Sequence, residues 1–257
     1  MTSFKYSIQN IQLFGVLATL LLSSSIVIGQ VQSNKETVVV PEPLMFDLVR
    51  GLGAKKGELE INTLADFPLN NSSERGVEWA PEIEYALFNN FAIEFELPLN
   101  NFELEAYKMA IQWTMGSSNN NKFIHGIQVI GEKYVHDDIF ELNLLYVPAY
   151  RFNEIWSAIG LFGIMVESGS DSPDNNSTVL LNASVFADLN KNTVVGLEIN
   201  NSDPTFQKID NNEMELLILP QAHYEFNSGF SLQFGFGPKF SDGKTNASAV
   251  LRVIQSF

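Results

Sequence analysis

The chain has 257 residues, with 30 Asp and Glu against 15 Lys and Arg, a formal net charge of −15, 45% hydrophobic residues and no cysteine. The acidity argues against a nucleic-acid partner, which needs clustered Lys and Arg. The missing Cys excludes disulfide scaffolds, thiolate metal sites and Cys nucleophiles, and the hydrophobic fraction is too high for a disordered acidic chain.

Residues 1–29 read as a secretory signal peptide. Lys5 supplies the positive start, IQLFGVLATLLLSSSIVI at 11–28 the apolar run, and Val27 and Gly29 the −3 and −1 positions of a cleavage site before Gln30. A retained anchor is the competing reading, weakened by Gln12 and the serines at 23–25. Residues 30–56 have no clear period and carry a basic spot at Arg50, Lys55 and Lys56; they are expected to form a periplasmic lead-in with a short helix over Leu44–Leu52. No later stretch reaches the about 18 apolar residues of a helical span.

From Gly57 onward the period is two, and residues 57–257 divide into twelve alternating segments: 57–67, 76–88, 91–98, 101–115, 123–135, 138–150, 154–168, 177–188, 192–201, 211–226, 229–240 and 245–257. In the third, Phe91, Ile93, Phe95 and Leu97 alternate with Ala92, Glu94 and Glu96. In the sixth, Phe140, Leu142 and Leu144 oppose Glu141 and Asn143. In the eleventh, Phe230, Leu232, Phe234 and Phe236 share one face and Ser231, Gln233, Gly235 and Gly237 the other. A helix would scatter these phenylalanines around its axis, so they read as strands. Asn89-Asn90, Asn100-Asn101, Asp137-Asp138, Asn227-Ser-Gly229 and Asp242-Gly243 supply tight-turn chemistry, and short links favour antiparallel neighbours.

The expected fold is therefore all-β: an antiparallel up-and-down transmembrane β-barrel of about twelve strands. Ten-residue strands rise about 33 Å, or roughly 23 Å along the bilayer normal when tilted near 45°. The links after segments 1, 7 and 9 are long and polar, as outward loops should be, whereas the links after segments 3 and 4 break that rule; a miscount between 98 and 123 would account for both. Trp79, Trp113, Trp156, Tyr85, Tyr146 and Tyr150 lie towards strand ends, where interfacial girdles form.

The runs GAKKGELEIN at 53–62 and WAPEIEYALFNNFAIEFELPL at 79–99, with the terminal Phe257, resemble bacterial outer-membrane β-barrel proteins of the flavobacterial type. More narrowly they are similar to outer-membrane transporter families that include the phenol meta-pathway barrels. The resemblance implies a barrel in the bacterial outer membrane, surrounded by its lipid and delivered by the barrel insertion machinery through the strand ending in Phe257. It also implies passage of a small solute, and no catalytic residue.

Glu58, Glu60, Glu78, Glu82, Glu84, Glu94, Glu96, Glu141, Lys239 and Arg252 are expected to line the lumen, with Glu198 in a similar position. Phe91, Phe95, Phe140, Leu142, Phe230, Phe234, Phe236 and Phe257 are expected to face the membrane. An acidic lumen would favour cations; a solvated interior without selectivity is the plainer alternative. His125, His136 and His223 form no close ligand pair, and no GxSxG elbow is present, so neither metal, cofactor nor enzyme activity is expected. Two alternatives to a channel are a structural or adhesion barrel with a plugged lumen, and a soluble periplasmic β-barrel or sandwich with its Phe faces turned inward.

Overall fold

In a computed structural model the described residues are 38–46, 48–70, 76–118, 120–172, 177–201, 216–241 and 244–257. The signal-peptide reading of 1–29 lies outside them. The strands are β1 (Leu59–Pro68), β2 (Glu78–Phe88), β3 (Phe91–Glu96), β4 (Leu99–Asn100), β5 (Glu103–Leu104), β6 (Ala106–Ser117), β7 (Phe123–Tyr134), β8 (Phe140–Arg151), β9 (Trp156–Ser168), β10 (Ser177–Asn190), β11 (Thr193–Asn200), β12 (Leu216–Glu225), β13 (Phe230–Ser241) and β14 (Lys244–Ser256).

Neighbours in sequence pair antiparallel except around the short β4 and β5, where β2 pairs with β3 and β4 and β3 pairs with β6; β1 pairs with both β2 and β14, so the sheet closes on itself. The Phe257 amide donates to the Leu59 carbonyl at 2.9 Å, extending that seam to the chain end. β3 with β4, and β5 with β6, are two spans each broken once, which makes twelve spans. The first break falls at Pro98, whose nitrogen has no hydrogen to give to a ladder; the Pro98 carbonyl instead accepts from the Glu105 amide. The count between 98 and 123 is thus as the pattern gave it, and the two irregular link lengths are real. The turn expected at Asn100-Asn101 sits one residue later, with Asn101 and Phe102 both at positive φ. Phe102 departs from the usual Asn or Gly there, and its ring packs edge-on against Trp79 at 5.2 Å.

Alternation places polar side chains inside and apolar ones outside. In β6, Ala106, Lys108, Ala110, Gln112 and Thr114 are buried, while Tyr107, Met109, Ile111 and Trp113 are exposed. A soluble barrel would have these faces reversed, so that alternative is overturned: the outer surface suits a bilayer. We call the end where β1 starts the base rim and the other the far rim. The base rim carries an aromatic series, with ring centroids 6.3 Å apart for Phe88–Phe91, 5.0 Å for Tyr150–Phe152, 4.7 Å for Tyr224–Phe226 and 5.5 Å for Phe226–Phe230. Such amphipathic belts form where headgroups meet hydrocarbon.

Ile111 lies mid-strand on the outer face, paired with Ile93 and Val129. Ile111→Arg should lower folding stability in lipid vesicles by about 2–4 kcal/mol, measured by urea titration with heat-modifiable gel mobility. Ile111→Leu should leave it unchanged.

Candidate functional site

Residues 30–56 were expected to form a periplasmic lead-in with a short helix over 44–52. Their described part contains no helix, and between Val40 and Ala54 it runs inside the barrel. The cause is the wall itself, which offers acceptors and an apolar sector that only an inserted segment satisfies. The Val39 carbonyl accepts from Arg151 Nε at the base end of β8 (2.7 Å). From there the chain runs in until Leu44, Met45 and Phe46 reach Glu198 on β11. It then returns past Gln128, Gln112 and Thr114 to the base rim, where the Ala54 carbonyl accepts from the Asn90 amide (2.7 Å). Both ends of this loop are therefore at one rim. Glu42 on the inward limb accepts from the Gly51 amide on the outward limb, bracing the two.

Glu198 is the loop's main acceptor. Its carboxylate takes the backbone N–H of Leu44 (2.9 Å), Met45 (3.2 Å) and Phe46 (2.7 Å), together with Asn200 Nδ2 (2.8 Å) and Gln221 Nε2 (2.9 Å). Successive backbone N–H groups converging on one anion form a concave nest. Beyond it the loop is packed as a core. Phe46, Leu48 and Val49 meet inward-facing Ile124, Ile130, Leu145, Val147, Ile159, Leu161, Leu180 and Phe186, while Leu44 and Met45 meet Leu64, Leu217, Leu219 and Val250. Two inward glycines make room: a Cβ on Gly235 would come within 3.0 Å of Leu44, and one on Gly126 within 3.1 Å of Leu52.

The other sector of the wall is charged. Hydrogen-bonded register aligns Asn62, Glu82, Glu96, Lys108, Glu132, Glu141 and Glu167 as one row across β1, β2, β3, β6, β7, β8 and β9. Glu60, Glu84 and Glu94 form the adjoining row. Lys108 bonds Glu96 and lies 3.8 Å from Glu94, and Arg252 holds Glu82 at 2.8 Å. The loop brings a third cation, Arg50, which bonds Glu60 and lies 3.8 Å from Glu84 and 3.5 Å from Glu58. Asn62 donates to Glu84 at 2.6 Å and Ser256 to Glu60 at 2.9 Å. Among the described residues, the carboxylates close enough to share an ion are Glu82, Glu94 and Glu96, within 4.8 Å of one another. Lys108 and Arg252 already occupy that group.

Of the residues singled out by sequence, Glu60, Glu82, Glu84, Glu94, Glu96, Glu141 and Arg252 are buried inside. Glu78 and Lys239 share the inward face near the far rim but are half-buried, and Glu58 precedes β1 at the base rim. Phe95, Phe140, Phe234, Phe236 and Phe257 are exposed outside, and Phe91, Leu142 and Phe230 lie half-buried on the same outer faces. The pattern missed Lys108, Glu132 and Glu167, and it missed the loop. The signal for the loop was present: the strands from 124 to 186 turn Ile124, Leu145, Val147, Ile159, Leu161 and Phe186 inward while their outward faces are apolar too, as two-sided burial demands. Away from the lumen, the His136-Asp137-Asp138 turn is tied down by Lys133 and Ser170. Hydrogen bonds from those two residues, Lys133 foremost, hold the exposed Asp138 carboxyl down at about 2.

A closed twelve-span barrel with an apolar, aromatic-rimmed exterior and a polar interior is an outer-membrane β-barrel protein. The chain belongs to the family described as HAEPLYID-like, which matches residues 36–256 and so includes the loop with the barrel. Spelled as residues, that name agrees with VPEPLMFD at 40–47 at Glu42, Pro43, Leu44 and Asp47, the first three of which lie within the inserted loop. No curated protein sequence matches the chain. Among solved structures, it is similar to an outer-membrane channel of Pseudomonas putida F1 (TM-score 0.60, 13% identity, 85% of this chain and 100% of that one). It is also similar to NanC porin (0.57, 5%, 75% and 98%) and to KdgM porin in complex with disordered oligogalacturonate (0.56, 9%, 77% and 99%). At these identities the likeness is one of fold.

Two outcomes follow for the loop. Glu198→Ala removes a charged acceptor whose hydrogen bonds are worth about 1.5–3 kcal/mol each, so amide hydrogen exchange at Leu44–Phe46 should accelerate at least tenfold. Glu42 keeps a sliver of exposure but has protein on every side. Burial first, and then Glu60, push its carboxyl up to about 7, against Arg50, Arg252 and the Gly51 N–H. A raised carboxyl favours the seated loop while protonated. That contribution is complete below about 4.5 and is lost as pH rises through about 7. The protection of the loop amides, taken relative to the base-catalysed exchange of the unfolded chain at the same pH, should therefore fall between pH 5 and pH 8, and Glu42→Gln should flatten that fall.

Proposed function

We propose that the protein is an outer-membrane channel for a small solute, closed by its own loop 38–54. The observation that carries this reading is the manner of the closure. The described residues of the loop make no strand pairing with the wall; the loop enters and leaves at one rim and is held by side-chain contacts and a rim hydrogen bond that break without opening the sheet. A lumen of this width leaves little open bore, since eight strands are filled by side chains alone and wide aqueous channels take about 16. Passage would follow loop withdrawal and would be passive, over a wall rich in Glu and Asn. The narrower resemblance to transporter and phenol meta-pathway barrels supports the same class of small cargo. An acidic oligosaccharide like the one solved with KdgM would meet repulsion from this wall.

The structural reading, a permanently plugged barrel, is favoured by the depth of burial of Leu44, Phe46, Leu48 and Val49. Planar-bilayer conductance separates the two. The full chain should open rarely, whereas a chain with 40–52 replaced by a Gly-Ser linker should carry steady current, with open time at least tenfold greater. Glu94→Gln with Glu96→Gln in that background should lower cation preference. No current from the loop-replaced barrel across many insertions would favour the structural reading.

A further inference from the structure

We infer that the seat now filled by Arg50 is a binding site for a small guanidinium- or amine-bearing cation, and that loop 38–54 is the internal competitor for it. The inference rests on the channel reading above and names its substrate class.

The charge inventory supplies the first argument. Among the described residues the buried acids of the wall are Glu60, Asp66, Glu82, Glu84, Glu94, Glu96, Glu132, Glu141, Glu167 and Glu198, against Lys108 and Arg252 as the buried wall cations. Lys108 and Arg252 are committed to Glu96 and Glu82. Withdrawal of the loop takes away the guanidinium shared by Glu58, Glu60 and Glu84, together with Glu42, the loop's own carboxyl beside it, and leaves the wall carboxylates Glu60 and Glu84 without that cation. Carboxylates buried in a narrow lumen without a counter-charge are strongly unfavourable. The vacated seat therefore demands another cation, and the fork of a guanidinium or the donors of an ammonium match what Glu60 and Glu84 now receive.

The loop's other contacts supply the second argument. At its two contacts with wall carboxylates the loop is the donor: Arg50 to Glu60, and three consecutive N–H groups to Glu198; its accepting contacts are backbone carbonyls, those of Val39, Arg50 and Ala54, facing Arg151, Gln112 and Asn90. A cationic solute carrying several N–H donors would reproduce both kinds of contact, while an anion or a neutral acceptor would reproduce neither. Asn62 and Ser256 already donate to Glu84 and Glu60, fixing those carboxylates before any solute arrives. Because the loop is joined to the wall by side chains and a few rim hydrogen bonds, a cation that takes the Arg50 seat removes one of its main attachments.

The test uses the full chain refolded in vesicles and agmatine as probe, which carries a guanidinium and an ammonium. Millimolar agmatine should raise amide exchange at Leu44–Phe46 at least tenfold and saturably, whereas tetramethylammonium, a cation without N–H donors, at equal ionic strength should not. Glu60→Gln with Glu84→Gln should abolish the saturable response. Arg50→Gln leaves the wall untouched and frees the seat, so agmatine measured by calorimetry should bind that variant at least tenfold more tightly than the parent. Equal acceleration by tetramethylammonium, no response to agmatine, or equal affinity in parent and Arg50→Gln would each overturn the proposal. Conductance is a separate readout: a barrel that binds agmatine but passes no current keeps the seat and loses the channel.

Discussion

The lumen is governed by an imbalance of buried charge. Its wall turns many carboxylates inward and few cations, in a space whose effective dielectric is far below that of water. Carboxylates so placed need donors, and the donors come from three sources: the two wall cations, neutral side chains such as Asn62, Asn143, Asn200, Gln221 and Ser256, and the inserted loop. The loop's contribution is the largest single assembly. It meets Glu198 with backbone N–H groups that no strand consumes, and it meets Glu60 with a guanidinium. An inward acidic wall and an unpaired segment rich in donors are two halves of one arrangement.

Width imposes the companion constraint. Twelve spans enclose more space than side chains alone fill, and an apolar void would forfeit dispersion contacts on every lining atom. The inner wall answers with two sectors. From β7 to β10 it is apolar and packs Phe46, Leu48 and Val49 as a soluble protein packs its core. From β1 to β6 and at β14 it is charged, and the charged row runs on across β7, β8 and β9 as Glu132, Glu141 and Glu167, on the far-rim side of the apolar residues. Inward glycines at 126 and 235 stand where Leu52 and Leu44 press closest. The barrel is thus inside-out towards lipid yet carries an ordinary hydrophobic core within, built around its own chain.

How far this was legible in sequence follows from which period each part obeys. The strands were readable because a half-exposed sheet alternates strictly, and Phe230, Phe234 and Phe236 against Gln233 and Gly235 leave no other face assignment. Strand ends came out close to the turn chemistry, as at Asn89-Asn90, where Asn90 has φ 68°. The loop was not readable as an insert, because 38–54 has no period; its contacts are set by a wall that exists only once the barrel closes. The inward apolar residues of β7 to β10 were visible, but the segment that covers them was not. Lys108 was missed for a local reason: Tyr107, Met109 and Ile111 outside, with Ala106 and Ala110 inside, make β6 look apolar throughout.

The HAEPLYID-like match begins at residue 36 and so takes loop and barrel as one unit, which is what the packing requires. Because the chain has no cysteine, a single introduced thiol reports on one position without background. Leu48 is 1% exposed in the seated loop. In Leu48→Cys, a membrane-impermeant maleimide should label the folded barrel at least a hundredfold more slowly than the urea-unfolded chain. Equal labelling rates in the two states would contradict a loop housed in the lumen.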